Sequence, residues 1–214
     1  MAETKKETSK QTELLDKLVN KQKTEEVTWK DNEGKKHTTK LVLKEPTSYV
    51  SMQLADLTNG EGSIAQMSEI FEILMDKVIV SPRMGYKELN DEVPEKLREK
   101  TVKYKNADGD DFKVVYKFPG YRAALRIMNE VQRNNGAMNM TSTISDILEE
   151  CARDVDGKKL TWDDVDDADK LNGNAMAIFN DGFEMISEVV ASKGTMEILM
   201  SAFQMAISKL NRVN

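Results

Sequence analysis

Few residues in this chain are suited to acid–base or nucleophilic chemistry. His37 is the only histidine and Cys151 the only cysteine. A cysteine nucleophile needs a lowered thiol pKa, yet Cys151 follows the acidic Glu150 and has no second histidine to activate it. We therefore interpret Cys151 as a small buried core residue and His37 as a strand residue. Because no glycine-rich phosphate loop, nucleophile elbow or Cys/His cluster occurs, we predict a non-enzymatic protein with no catalytic residues and no cofactor.

Aspartates beside glycines suggest calcium binding as a second chemistry. An EF-hand loop needs oxygen ligands at its first, third and fifth positions, glycine at the sixth and a carboxylate at the twelfth. A frame with Gly157 sixth puts Ala152 first, and one with Gly109 sixth puts Tyr104 first and Val115 twelfth. Both frames fail. We therefore expect these aspartates to form turns, and we predict no metal site.

The composition excludes several classes of protein. The net charge of −6 argues against binding to a nucleic-acid backbone. No run approaches the roughly 18 apolar residues of a membrane span, and the Lys/Glu/Thr-rich N-terminus lacks the apolar core of a secretory signal. A single cysteine fits a reducing compartment. The acidic run from Asp163 to Asp169 is interpreted as a solvated helix start or loop.

Two segments of the chain, 27–93 and 102–168, repeat one pattern with different residues. An internal repeat of this length is typical of tandem modules. The matched pairs are Val27 and Val102, Trp29 and Tyr104, Gly34 and Gly109, Pro46 and Pro119, Ile70 and Ile144, Leu74 and Leu148, Tyr86 and Trp162, Leu89 and Val165, and Asp91 and Asp167.

Each repeat predicts a β-hairpin followed by helices. Strand-forming residues flank polar turns at 31–34 and 107–109, and a proline ends each second strand. In the first repeat, apolar residues at helical spacing from Ile64 to Val78 predict a long helix. Its counterpart in the second repeat is predicted over roughly Met138–Ala152.

These elements predict an α+β fold that is mostly helical. We expect two tandem modules, each a β-hairpin followed by helices, and then two amphipathic C-terminal helices separated by Gly194. The predicted segments are a flexible polar N-terminal segment at 1–25, a first module at 26–98, a second module at 101–170 and a C-terminal helical segment at 171–214.

A possible binding surface emerges from comparing the two repeats. Phe71, Met75 and Val78 form an apolar stripe whose counterparts are Ser145, Glu149 and Ala152. One interpretation is that the stripe packs on the other module or on the C-terminal helices. The other is a groove for a helical partner, which flexible methionines would suit. With apolar residues of the C-terminal helices, the predicted partner-binding residues are Phe71, Met75, Val78, Phe179, Phe183, Met200 and Phe203.

Both modules resemble a known family. The hairpin strand at 108–115 and the turn from Phe118 through Pro119 and Gly120 to Ala124 are similar to the opening of tail assembly chaperones from long-tailed phages and prophages of Gram-positive bacteria. The first module's ending, 73–82 and then 86–91, resembles the same family. Together these matches cover most of 27–168. Family members mainly carry one module per chain, whereas this chain carries two.

The resemblance implies a function. It implies a chaperone in the cytoplasm of the bacterial host that binds the tape measure protein, keeps it soluble and helps the tail tube protein polymerise around it. Such proteins are often also made as a longer frameshifted product. A homo-oligomer is compatible with this role. The alternative is a structural tail or head accessory protein of the particle, whose two modules mimic a dimer.

Overall fold

The computed structural model describes residues 21–31, 33–59, 66–131, 138–208 and 210. The chain divides into two compact units: one runs to Gly85 and resumes at Gly194, and the other is Tyr86–Lys193. Helices contribute more residues than strands, and the strands form two three-stranded antiparallel sheets. The predicted fold class, α+β and mostly helical, is confirmed.

The first unit comprises β1 (Gln22–Lys30), β2 (Lys36–Lys44), α1 (Ser48–Asn59), α2 (Gln66–Lys77), β3 (Ile79–Ser81) and α9 (Thr195–Ser208). Its sheet has the order β1-β2-β3, so β2 is the central strand. Alternation along the strands places Val27, Leu41 and Leu43 on one face, where they are buried. The helix α9 packs on β1, α1 and α2.

The second unit comprises α3 (Tyr86–Asp91), α4 (Glu95–Arg98), β4 (Glu99–Lys105), β5 (Asp111–Lys117), α5 (Tyr121–Glu130), α6 (Met140–Asp146), a π-helical turn (Ile147–Cys151), β6 (Ala152–Arg153), α7 (Trp162–Asp166) and α8 (Ala175–Ala191). Its sheet has the order β4-β5-β6. Val114 and Tyr116 are fully buried on the inner face of β5, and α8 packs on α5, α6 and the π turn.

The two hairpin turns have the same geometry. The Asp31 amide donates to the Lys35 carbonyl, and the Asn106 amide donates to the Asp110 carbonyl. Gly34 and Gly109 close these turns with φ of 77° and 86°, a region that favours glycine. The polar residue and the glycine of each turn therefore explain why both hairpins form where the sequence predicts them.

The order hairpin, two helices and third strand occurs in both units. Trp29 pairs with His37 across the first hairpin, and Tyr104 pairs with Phe112 across the second. The matched residues Leu74 and Leu148 are both buried. The sequence did not reveal β3 and β6, because strands of two or three residues leave too short a pattern.

Element boundaries differ from the predicted ones at several points. Residues 1–20 of the predicted N-terminal segment lie outside the described part of the chain, but β1 already begins at Gln22, since that residue pairs with Lys44. In the second unit the helical stretch begins at Met140 and ends at Cys151, where the backbone turns into β6. Ile64, at the start of the first predicted helix, also lies outside the described residues.

The two C-terminal helices belong to different units. The chain passes from α8 in the second unit to α9 in the first at Gly194, with φ of 63°. A Cβ added at Gly194 would lie 2.6 Å from the Trp29 Cγ, so the absence of a side chain lets α9 begin directly against the first hairpin. The predicted segment 171–214 thus contributes one helix to each unit.

Candidate partner-binding surface

The stripe Phe71, Met75 and Val78 is mainly core. Phe71 and Val78 are each only 1% exposed, and Met75 is half-buried. Their helix, α2, packs against α1, β3 and α9, and these contacts remove the stripe from solvent. The groove interpretation therefore does not fit Phe71 and Val78, whereas packing on a C-terminal helix does.

The counterparts of the stripe in the second unit explain why comparing the two repeats suggested an exposed groove. Ser145 accepts a hydrogen bond of 2.9 Å from the Trp162 indole nitrogen, and Ala152 is fully buried. Only Glu149 is exposed. A polar or small residue at such a position therefore does not show that the position faces water.

The helix α9 carries one accessible apolar surface, and Tyr49 and Met52 on α1 are also exposed, at 75% and 57%. Its core side is formed by Ile198, Leu199, Ala202 and Ala206, all buried. Beside it runs a second row, which we call the α9 strip: Met196, Met200, Phe203 and Ile207. Met200 is 50% exposed and the other three are half-buried. The spacings of four, three and four residues place the row on one side of the helix.

Contacts at the start and in the middle of α9 hold the strip in place. Gly194 lies against Trp29 at the start of the helix, and the Ser201 hydroxyl donates a hydrogen bond to Glu25 on β1. The strip is thus presented on a helix packed on the sheet. Of the predicted partner-binding residues, Met200 and Phe203 lie on this strip.

The remaining predicted residues, Phe179 and Phe183, lie on α8. Their rings stack in parallel, with centroids 5.7 Å apart and planes at 4°. Phe179 is buried, Phe183 is half-buried, and Met176 on the same helix is 49% exposed. This edge of α8 is a further accessible apolar surface.

The candidate residues for nucleophilic or acid–base chemistry have structural roles. His37 lies in β2, as predicted; its Nε2 is 2.6 Å from Asp31 Oδ2, and its ring stacks on Trp29. The hydrogen bond from His37 lowers the pKa of Asp31. Cys151 is fully buried, as predicted, and burial raises its pKa to about 12, so its thiol stays protonated at neutral pH.

The aspartates beside glycines form turns. Asp154 Oδ1 accepts hydrogen bonds from the amides of Asp156 and Lys158. Within the acidic run, Asp164 closes a capping box with Thr161 at the start of α7. The interpretations as turns and as a helix start are confirmed, but Asp164 is buried against Lys170 rather than solvated. Among the described residues, no group of three or more His, Cys, Asp or Glu side chains could hold a metal ion.

A buried polar network in the second unit has no local sequence signal. The Tyr104 hydroxyl donates to Asp181 Oδ2 at 2.6 Å and lies 2.6 Å from the Tyr116 hydroxyl oxygen. Burial raises the pKa of both tyrosines, so neither serves as a base at neutral pH. Lys100 adds an ion pair of 3.6 Å to Asp181. This network joins the hairpin to α8 and is structural.

A second network gathers carboxyl groups around one guanidinium. Arg126 on α5 lies 2.9 Å from Asp146, 3.3 Å from Glu150 and 3.6 Å from Glu130. Burial raises the pKa of Glu130, and the neighbouring Asp146 carboxyl raises it further. Because the three acids are bound to an arginine, the arrangement stabilises the contact of α5 with α6 rather than forming a reactive site.

Comparison with known proteins adds no relative. No family model matches the chain, and the curated proteins and the solved structures contain no match. Within the described residues, none of the helices has the length and apolar character required to traverse a bilayer.

Proposed function

We propose that this protein is a non-enzymatic tail assembly chaperone of a long-tailed phage or prophage, which binds the tape measure protein and supports tail tube assembly. The observation that carries the proposal is the α9 strip. Four apolar residues in a row, with Met200 half exposed, form a surface that an amphipathic helix of a partner can cover.

The strip has the chemistry expected of a reversible helix-binding surface. Methionine is unbranched and polarisable, so Met196 and Met200 can adapt to different apolar side chains along a long partner. The row is short, which keeps each contact weak. A chaperone needs such contacts because it must release the tape measure protein when the tail is complete.

A second accessible surface strengthens the proposal. The α8 edge, with Phe183 and Met176, lies in the other unit, so both units contribute accessible apolar residues. Two weak sites on one chain raise the effective concentration at the second site once the first is bound. The net charge of −6 keeps such a protein dispersed while its apolar residues remain accessible. The proposed place of action is the cytoplasm of the bacterial host.

The test is co-expression with the tape measure protein of the same phage or prophage, with its soluble fraction as the readout. Met200→Glu should lower the soluble yield severalfold, because it puts a charge in the strip. The matched control is Met52→Glu on α1, since Met52 is 57% exposed in the same unit but lies outside the strip. Both variants should keep the wild-type melting temperature. Equal yields with the two variants would remove the strip from the proposed function.

A further inference from the structure

The outward face of the first hairpin is rich in lysine although the whole chain is acidic. The residues of β1 and β2 that alternate with the buried ones share this face: Gln22, Thr24, Glu26, Thr28, Lys30, Lys36, Thr38, Lys40, Val42 and Lys44. Its four lysines are all exposed, and Glu26 contributes the one carboxylate among these residues. Among the described residues, none of these four lysines forms an ion pair. We call this surface the lysine face.

Two features distinguish the lysine face from an ordinary solvated sheet surface. Lys30 lies directly opposite Lys36, and like charges in directly opposed positions weaken a hairpin. In the second hairpin the corresponding pair, Lys103 opposite Lys113, is offset by Asp111, which lies 3.0 Å from Lys103. The first hairpin therefore differs in keeping an opposed lysine pair that no ion pair among the described residues offsets.

Protection of a sheet edge accounts for the lysines only in part. Lysines often shield edge strands from unwanted pairing, and β3 pairs only with Val42 and Leu43 of β2, so the stretch that carries Lys36 and Lys40 has a free edge. Lys44 adjoins the paired stretch, and its exposed side chain lies on the sheet face, where a partner would meet it.

We infer that the lysine face binds an acidic segment of another protein. The lysines along β2 recur every four residues, about 13 Å at ~3.3 Å per residue, far sparser than the one charge per about 1.7 Å of duplex DNA. No aromatic side chain lies on this face to stack on bases. Carboxylates spaced along a protein segment match lysines at this spacing.

The experiment measures binding of fluorescein-labelled polyglutamate to the full chain by anisotropy at low ionic strength. Lys30→Gln with Lys36→Gln should weaken binding about tenfold, the effect of losing two exposed ion pairs of ordinary strength. The control, Lys87→Gln with Lys158→Gln, removes the same charge from exposed positions elsewhere and should stay within about twofold of wild type. Added salt should abolish the difference.

Stability provides an independent readout. If the opposed lysines serve binding, the Lys30/Lys36 variant should lose affinity while its melting temperature stays equal or rises, because a like-charge pair is removed. Equal affinity losses in the two variants would overturn the inference. So would tighter binding of labelled oligo(dT) than of polyglutamate, which would indicate a phosphate partner, or self-association on the same face detected by sedimentation.

Discussion

Because the start of α9 packs closely against the first hairpin, we predict that Gly194→Ala lowers the stability of the protein. The substitution places a Cβ at a residue with φ of 63°, which costs about 1–2 kcal/mol for a residue other than glycine. The new atom would also lie 2.6 Å from the Trp29 Cγ, and overpacking of this kind costs about 1–3 kcal/mol. The two effects together predict a loss of about 2–5 kcal/mol.

Gly34→Ala is the matched control. Gly34 has φ of 77° but nothing within 4 Å of an added Cβ, so only the backbone cost of about 1–2 kcal/mol applies. Free energies of unfolding from chemical denaturation would compare the two variants. On a Trp29→Ala background the extra cost at Gly194 should disappear, because the overlapping ring is gone. If Gly194→Ala costs no more than Gly34→Ala in the wild type, the proposed seating of α9 is refuted.

Three further predictions concern the core and its ionisable groups. Phe71→Ser with Val78→Ala should lower the free energy of unfolding by at least about 3 kcal/mol, measured by chemical denaturation, because both side chains are buried in the core. An unchanged midpoint would show that the stripe lies on the surface. Hydrogen bonds from Lys170 and Thr161 hold the pKa of Asp164 at about 2, so stability should fall as pH drops below about 3.8, and Asp164→Asn should remove this part of the acid dependence measured by thermal melts. Burial raises the pKa of Glu130, so its contribution to stability is present in acid and lost as pH rises through that pKa. Glu130→Gln should therefore reduce the loss of stability with rising pH in this range. A larger loss of stability in the variant would contradict the raised pKa.

Local features of the sequence were enough to predict the hairpins and the helices that follow them. Asp31 and Gly34 define one turn by themselves, and Asn106 and Gly109 define the other, because the hydrogen bonds and the positive φ involve only near neighbours. The internal repeat then predicted which residues of the two hairpins correspond, such as Trp29 and Tyr104.

Long-range packing determined what the sequence could not predict. The helix α2, which carries the buried Phe71, packs partly against α9, which lies more than a hundred residues later in the chain. Tyr104 likewise bonds Asp181, 77 residues away, without any local pattern. Spacing alone predicted that α9 is amphipathic, but only the packed structure distinguishes its buried side from the strip containing Met200.

The most direct test of the proposed function is the amount of this protein in purified phage particles relative to the cells that produce them. A tail assembly chaperone should be recovered from the producing cells together with the tape measure protein, and quantitative mass spectrometry should find it absent from finished particles. Presence in the particles at a fixed ratio to the tail tube protein would contradict the chaperone role and indicate a structural tail or head accessory protein.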